Sequence, residues 1–136
     1  EVLPKAGYSE AEVTAVVEAV RTCSWSRGLP PTSSLGAVLQ DADRLDAIGA
    51  IGIARCFATA QAMSSRGTTG RFYDPEDPLG QSGRNLNDRH NAADHYAVKL
   101  LKLAETMHTP AARAEGARRH AFLKAYLAQL GHEVSP

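Results

Sequence analysis

The chain has 136 residues, of which 43% are hydrophobic and 22% charged, a composition that fits a single globular domain and excludes wholesale disorder. Its 15 Lys and Arg residues balance its 15 Asp and Glu residues, so the basic excess typical of DNA-binding proteins is missing. Two cysteines give no disulfide framework, and no membrane span or signal peptide is predicted, so we expect one cytoplasmic domain over residues 1–136.

The first strong element is a helix that begins after Ser9. Ser9 and Glu12 have the spacing of a capping box, in which each residue accepts a hydrogen bond from the backbone of the other. Apolar residues follow at helical spacing: Val13, Val16, Val17 and Val20. A turn-rich connection over residues 23–32 then leads to the next helix.

The central segment is predicted to be helical from Ser33 or Ser34 to about Met63. Gly49 and Gly52 each weaken such a helix by about 1 kcal/mol relative to alanine, so their presence indicates the close approach of another helix or a ligand. A break near Ala47 is the alternative.

This segment also concentrates charge on an otherwise apolar stretch. Burying an unpaired charge costs several kcal/mol, roughly, so these residues need partners. A metal, a cationic ligand and a structural network of ion pairs are the alternatives. The charged residues are Asp41, Asp43, Arg44, Asp46 and Arg55.

Residues 64–89 are rich in Gly and Pro and show little periodicity. Because long loops are uncommon in compact domains, we interpret the segment as a mobile lid with Phe72 and Tyr73 turned inward. A loosely held surface loop without a role is the alternative.

Two further helices complete the predicted fold. The first spans residues 91–107 and carries His95 and Lys99 four residues apart, where they either bring positive charge to a phosphate or form a solvated face. Thr109 and Pro110 predict the start of the last helix, and Gly131 predicts its end. Four amphipathic segments and no alternating strand pattern predict an all-α fold.

The run QDADRLDAIGAIGIAR at residues 40–55 resembles the signature of the HD-domain phosphohydrolases, in their branch of small bacterial hydrolases. The resemblance extends over nearly the whole chain, through CSWS at 23–26, FYDP at 72–75, DHY at 94–96 and KLLKL at 99–103. It implies a helical bundle in which a divalent metal (Mn, Fe, Co, Ni, Zn or Mg) activates water for attack on a phosphorus centre.

The resemblance also implies roles for individual residues. The last aspartate of the family's metal ligands corresponds to Asp43, and Asp46 and Arg44, with Asp41, are expected to orient it. Because Asp41 lies roughly 160° from Asp43 around a helix, we expect Asp43 to face the site and Asp41 to cap a helix or pair with Arg44. The expected substrate contacts are Arg55, His95, Lys99, Ser24 and Ser26.

The sequence departs from the family in its first half. No histidine precedes Cys23, so the first histidine and the His-Asp pair of the ligand set are absent, and Cys23 replaces a further histidine. We therefore expect a partial HD-like domain that lacks the N-terminal helices, binds no metal tightly and has no appreciable phosphatase activity.

Two functions stay open at this point. The first is an HD phosphohydrolase acting on a small phosphoester or nucleotide, represented by an incomplete chain. The second is a non-catalytic helical binding or regulatory module derived from that fold. Neither function involves a membrane or DNA. An apolar face left uncovered by the missing helices predicts a homodimer.

Overall fold

The computed structural model describes residues 2–64 and 70–134. Among these residues the one strand-like pairing is an isolated bridge between Arg71 and Asn91, so the predicted all-α class is confirmed. No described helix is long and apolar enough to cross a membrane. The helices are α1 (Val2–Lys5), α2 (Glu10–Cys23), α3 (Ser34–Asp46), α4 (Gly49–Ser64), α5 (the continuous segment 96–106) and α6 (Pro110–Val134), with a 3₁₀ turn at Trp25–Arg27.

Helix α5 is irregular along its whole length. It begins as the π-helix Tyr96–Leu100, continues as one α-helical turn, Leu101–Leu103, and ends as the 3₁₀ turn Ala104–Thr106. A π-helical turn is rare and is found frequently at functional sites. The predicted amphipathic helix over residues 91–107 is therefore present, but it starts later than residue 91 and is irregular.

The caps that the sequence predicts are present at two helices. At α2, the Ser9 hydroxyl accepts from the Glu12 N–H at 3.4 Å, and the Glu12 carboxylate accepts from the Ser9 N–H at 2.8 Å. At α6, the Thr109 hydroxyl accepts from the Ala112 N–H at 3.2 Å. The predicted stop at Gly131 is wrong, because α6 continues to Val134. A methyl group at Gly131 would lie 3.0 Å from Leu79, so close packing explains this glycine.

The central segment consists of two helices, and the break near Ala47 is confirmed. Gly49 opens α4 with a φ of +77°, which only glycine adopts at little cost. A methyl group at Gly52 would overlap the Ala47 carbonyl oxygen. The close neighbour of Gly52 is therefore the backbone of the turn at Ala47, and not another helix or a ligand. At Gly49 the neighbour is Arg119 of α6, which would lie 3.1 Å from an added methyl group.

The core lies where α4, α5 and α6 meet, and α2 packs on α3. Its fully buried apolar side chains are Ile48, Tyr96, Leu103 and Leu123. Helices α2 and α3 expose several apolar side chains, and the homodimer stays a prediction. These exposed side chains are Val17, Val20, Leu35 and Val38.

Residues 70–94 are held by ion pairs among themselves and contact α4 through Phe72, while the mobile lid and the loosely held loop both stay predictions. Arg84 donates to both carboxylate oxygens of the fully buried Asp94, at 2.6 and 2.8 Å, and its Nε lies 3.1 Å from Asp77. Phe72 stacks on Phe57 with ring centroids 4.0 Å apart, but it is 47% exposed, so the prediction that it turns inward is wrong, whereas Tyr73 is half-buried. The part of that prediction that falls on residues 65–69 lies outside the described residues.

Candidate functional site

A cavity of about 310 Å³ opens between α4, α5 and residues 88–92, and we name it the cationic pocket. Three of the five predicted substrate contacts, Arg55, His95 and Lys99, line it together. Arg89 and Asp88 also line it. Sequence reasoning missed these two residues because they stand in an irregular loop, where no periodicity indicates which side chains point to the same place.

The pocket carries an excess of positive charge. Arg55 forms an ion pair with Asp46, and both side chains are exposed. His95 Nδ1 lies 2.8 Å from the Asp88 carboxylate. Among residues 2–64 and 70–134, no carboxylate lies within 4 Å of the side-chain nitrogens of Arg89 or Lys99. Two cationic groups are thus left to attract an anion.

Buried interactions set the position of the pocket's side chains. Asp94, which Arg84 holds, directly precedes His95, so the anchoring of the 70–94 segment also fixes the entry to α5. Lys99 lies in the π-helical turn, and its Nζ stands 5.8 Å from the centre of the Trp25 ring. His95 and Lys99 are both half-buried, and each has a defined neighbour, which limits the entropy lost on binding.

Cys56 lines the pocket but is not suited to nucleophilic chemistry. Its thiol points to the Ala92 carbonyl oxygen, 3.6 Å away. Burial, with a smaller contribution from the charge of Asp88, raises the pKa of Cys56 to about 11. The thiol is therefore protonated at neutral pH, and the thiolate is the nucleophilic form.

The predicted catalytic residues do not converge on this pocket. Asp43 is exposed on α3 and lies outside the pocket lining. Asp46 reaches the pocket only through Arg55. Arg44 is buried, donates to the Gln40 side chain at 2.7 Å and also donates to the Thr106 carbonyl.

Asp41 is the buried carboxylate of the central segment, and it caps α6. It accepts hydrogen bonds from the backbone N–H groups of His108 at 2.7 Å and Thr109 at 2.8 Å. The sequence predicts that Asp41 either caps a helix or pairs with Arg44. The structure shows the cap, and no ion pair joins Asp41 to Arg44.

Ser24 and Ser26 take different places. Ser24 directly follows α2 and does not line the cationic pocket, whereas Ser26 borders a second cavity of about 580 Å³, which Ser24 does not line either. Trp25, Arg44 and His108 also line that second cavity. The structure therefore divides the predicted substrate contacts between two neighbouring cavities.

The residues around Asp43 do not fit a resident divalent metal. No three His, Cys, Asp or Glu side chains in the described ranges are grouped to hold a metal ion. Cys23 is an electrostatic neighbour of Asp43, but burial, followed by the charge of Asp43, raises the pKa of its thiol. A protonated thiol and one exposed carboxylate are too few ligands for a transition metal.

Comparison with known proteins places this architecture in a family. No protein-family model matches the sequence. The Bacillus subtilis protein YpgQ is 37% identical over 105 residues, which are 76% of this chain and 42% of YpgQ. An HD-superfamily hydrolase from Bacillus thuringiensis is 34% identical with a TM-score of 0.69, over 96% of this chain and 57% of that one. The chain belongs to the HD superfamily.

Other solved structures agree with this assignment to the HD superfamily. A Lactobacillus plantarum protein gives a TM-score of 0.74 at 33% identity, covering 96% of this chain and 62% of that protein. The crystal structure of YpgQ in complex with ADP gives a TM-score of 0.69 at 34% identity, covering 93% of this chain and 55% of YpgQ. This HD-superfamily chain thus spans about half the length of the relatives that it matches.

Proposed function

We propose that the chain binds the phosphate of a small phosphoester or nucleotide in the cationic pocket, as part of an HD-superfamily phosphohydrolase. The observation that carries the proposal is the convergence of Arg55, Arg89 and Lys99 on one cavity from α4, the 88–92 loop and α5. The resemblance to an HD-superfamily hydrolase and the ADP bound by YpgQ support it.

The three cations suit different parts of a phosphate group. Arginine presents a planar fork that binds two phosphate oxygens at once, whereas lysine acts as a point charge on a flexible stem. Arg89 and Lys99 have no carboxylate partner to give up among the described residues, and Arg55 has only an exposed one. Binding therefore costs little in broken ion pairs.

His95 supplies a group for proton transfer beside these cations. Its Nδ1 is held by Asp88, which leaves Nε2 as the atom that donates to or accepts from a bound ligand. A carboxylate that orients a histidine ring in this way recurs in enzymes that use histidine as an acid or base. We infer that His95 stabilises or protonates a phosphate oxygen.

A non-catalytic phosphate-binding module is the second candidate. The observation that favours it is the poor fit of a metal around Asp43 within the described residues, with Cys23 as its neighbour. Both candidates require the same pocket, so binding and turnover have to be measured separately.

Calorimetric titration with pyrophosphate tests the pocket. We expect Arg55→Ala and Lys99→Ala each to weaken binding about tenfold, the loss of one charge-assisted hydrogen bond. Lys102→Ala is the matched control, because Lys102 is exposed on the same helix and lies outside the pocket. Equal affinities in all four proteins would contradict the proposal.

Phosphate release from nucleoside di- and triphosphates, measured with added manganese, separates the two candidates. Turnover that Asp43→Asn abolishes identifies the hydrolase. Pyrophosphate binding without turnover at any metal concentration identifies the module.

A further inference from the structure

The second cavity lies beside the cationic pocket, and one side-chain contact joins the two. Lys99 lines the cationic pocket, Trp25 lines the second cavity, and the Lys99 Nζ stands over the Trp25 ring at 5.8 Å from its centre. We propose that the second cavity is a nucleoside subsite, with the base stacked on Trp25 while the phosphates bind Arg55 and Lys99. This inference rests on the proposed function and deepens it.

The spacing of Lys99 and Trp25 suits a nucleotide. In a nucleotide only the sugar separates the phosphate from the base, so a phosphate-binding cation and a base-stacking ring have to stand close together. An indole accepts any base on its π face, and such stacking contributes strongly to affinity. Because Trp25 is half-buried and packs against the core, it presents a ring that is already fixed.

The walls of the second cavity suit a flat, polar-edged group. Leu29, Pro30 and Pro31 provide an apolar side. Arg44 and His108 also line the cavity; the Arg44 Nη atoms and the His108 Nε2 contact each other, Gln40 and Thr106, whereas the Arg44 Nε has no hydrogen-bond partner among the described residues. Within the described part of the chain no Asp or Glu lines this cavity, so its wall does not repel the carbonyl and ring-nitrogen acceptors of a base.

Ser26 and Arg27 border the cavity at the same 3₁₀ turn as Trp25. Their hydroxyl and guanidinium groups are exposed, and the guanidinium of Arg27 donates to the Arg21 carbonyl at 3.2 Å. These groups suit the sugar, which lies between the base and the phosphates. Ser26, a predicted substrate contact, lines this subsite and does not line the cationic pocket.

Trp25 is the chain's one tryptophan, so its fluorescence reports on the subsite directly. Titration of the unmodified protein with ADP is compared with titration by pyrophosphate and by ribose 5-phosphate. We expect ADP to change the indole emission most and to bind more tightly than the two ligands without a base. A stacked base corresponds to about a 5- to 150-fold gain in affinity.

Two substitutions complete the test. Trp25→Leu is expected to weaken ADP binding more than pyrophosphate binding, whereas Trp25→Phe keeps most of the gain for ADP. Phe122→Leu, at an exposed aromatic outside both cavities, is the control.

The outcomes distinguish the two proposals. Equal affinity of the unmodified protein for ADP and pyrophosphate overturns the nucleoside subsite and leaves the phosphate pocket standing. Binding of none of the three ligands overturns the proposed function itself. If Trp25→Leu fails to fold, the affinities of the unmodified protein for ADP, pyrophosphate and ribose 5-phosphate still test the nucleoside subsite.

Discussion

The carboxylate of Asp41 accepts a hydrogen bond from the backbone N–H of His108 at 2.7 Å, although 67 residues separate them. A second bond, from the N–H of Thr109 at 2.8 Å, places the other carboxylate oxygen at the start of α6. The N-terminus of a helix carries partial positive charge and unpaired N–H groups, which a buried carboxylate satisfies. The central motif thus fixes the last helix of the fold.

Replacing Asp41 is therefore expected to destabilise the fold. Asp41→Asn keeps the shape of the side chain but removes its charge, and we expect a loss of about 1–3 kcal/mol in the free energy of unfolding. Asp43→Asn is the matched control, because Asp43 is exposed on the same helix. Urea denaturation of both variants checks the prediction, and equal losses would contradict the capping role.

The pH dependence of stability follows from the same contact. Burial raises the pKa of Asp41, but the hydrogen bonds from His108 and Thr109 outweigh burial and hold the pKa below its ordinary value. The contribution of Asp41 is thus present above about pH 4, the region of the unfolded-state pKa, and is lost as the pH falls through the folded-state pKa. Between about pH 5 and pH 2, Asp41→Asn should lose less stability than the unmodified protein.

Arg84 is expected to be essential for the order of residues 70–94. Its removal leaves the buried carboxylate of Asp94 without its charged partner, and an uncompensated buried charge is strongly destabilising. We expect Arg84→Ala to lower the melting temperature by about 5 °C or more and to weaken hydrogen-exchange protection around Asn87. Arg71 is an exposed arginine of the same segment, so Arg71→Ala should change neither the melting temperature nor the hydrogen-exchange protection.

Gly52 is expected to tolerate no side chain. A methyl group there meets the Ala47 carbonyl oxygen, which belongs to the tight turn between α3 and α4 and cannot move without opening it. Gly52→Ala should cost about 1–3 kcal/mol, the usual effect of forced overpacking. Gly36→Ala is the control, because it meets only ordinary contacts inside α3 and gains helix propensity. Thermal denaturation should show the two variants shifting in opposite directions.

The ion pair between Asp46 and Arg55 is expected to compete weakly with a bound phosphate. Both side chains are exposed, and exposed pairs contribute little, so Asp46→Asn should change pyrophosphate affinity by less than about fivefold. If Asp46 instead orients Arg55, Asp46→Asn should weaken binding as much as Arg55→Ala does. Calorimetric titration of the two variants under identical salt conditions decides between them.

Metal retention by this chain is expected to be low. Tight binding needs several preorganised ligands, and the resemblance implies a metal-ligand role for Asp43 alone. After dialysis against manganese, nickel or zinc, we expect less than stoichiometric metal and no hydrolysis of an aryl phosphate. Stoichiometric metal together with turnover that Asp43→Ala abolishes would contradict this expectation.

Local signals in the sequence predicted much of the fold. The capping box at Ser9 and the Thr109-Pro110 start of α6 were recognisable, because a cap depends on residues three or four positions apart. Gly49 and Gly52 indicate a close neighbour, and the turn at Ala47 is the alternative that the structure confirms. Whether a glycine faces a neighbouring helix or its own preceding turn depends on backbone angles that composition does not contain.

The pocket was predictable in part. The spacing of His95 and Lys99 and the family motif containing Arg55 selected three residues that the structure brings together. Arg89 and Asp88 join them in a loop that the contacts of Arg84 and Asn87 with Asp94 help to hold. The ion pair between Arg84 and Asp94 is a contact between irregular segments, for which the sequence has no periodic signal.

The sequence by itself determined the helical class, the HD resemblance and the cationic character of the substrate contacts, because amphipathic spacing and a long motif are properties of neighbouring residues. Only the tertiary structure decided that Asp41 is buried as a helix cap while Asp43 is exposed, and that Trp25 stands beside Lys99. These facts depend on which distant segments pack together, and the free energy of that packing is shared among contacts far apart in the chain.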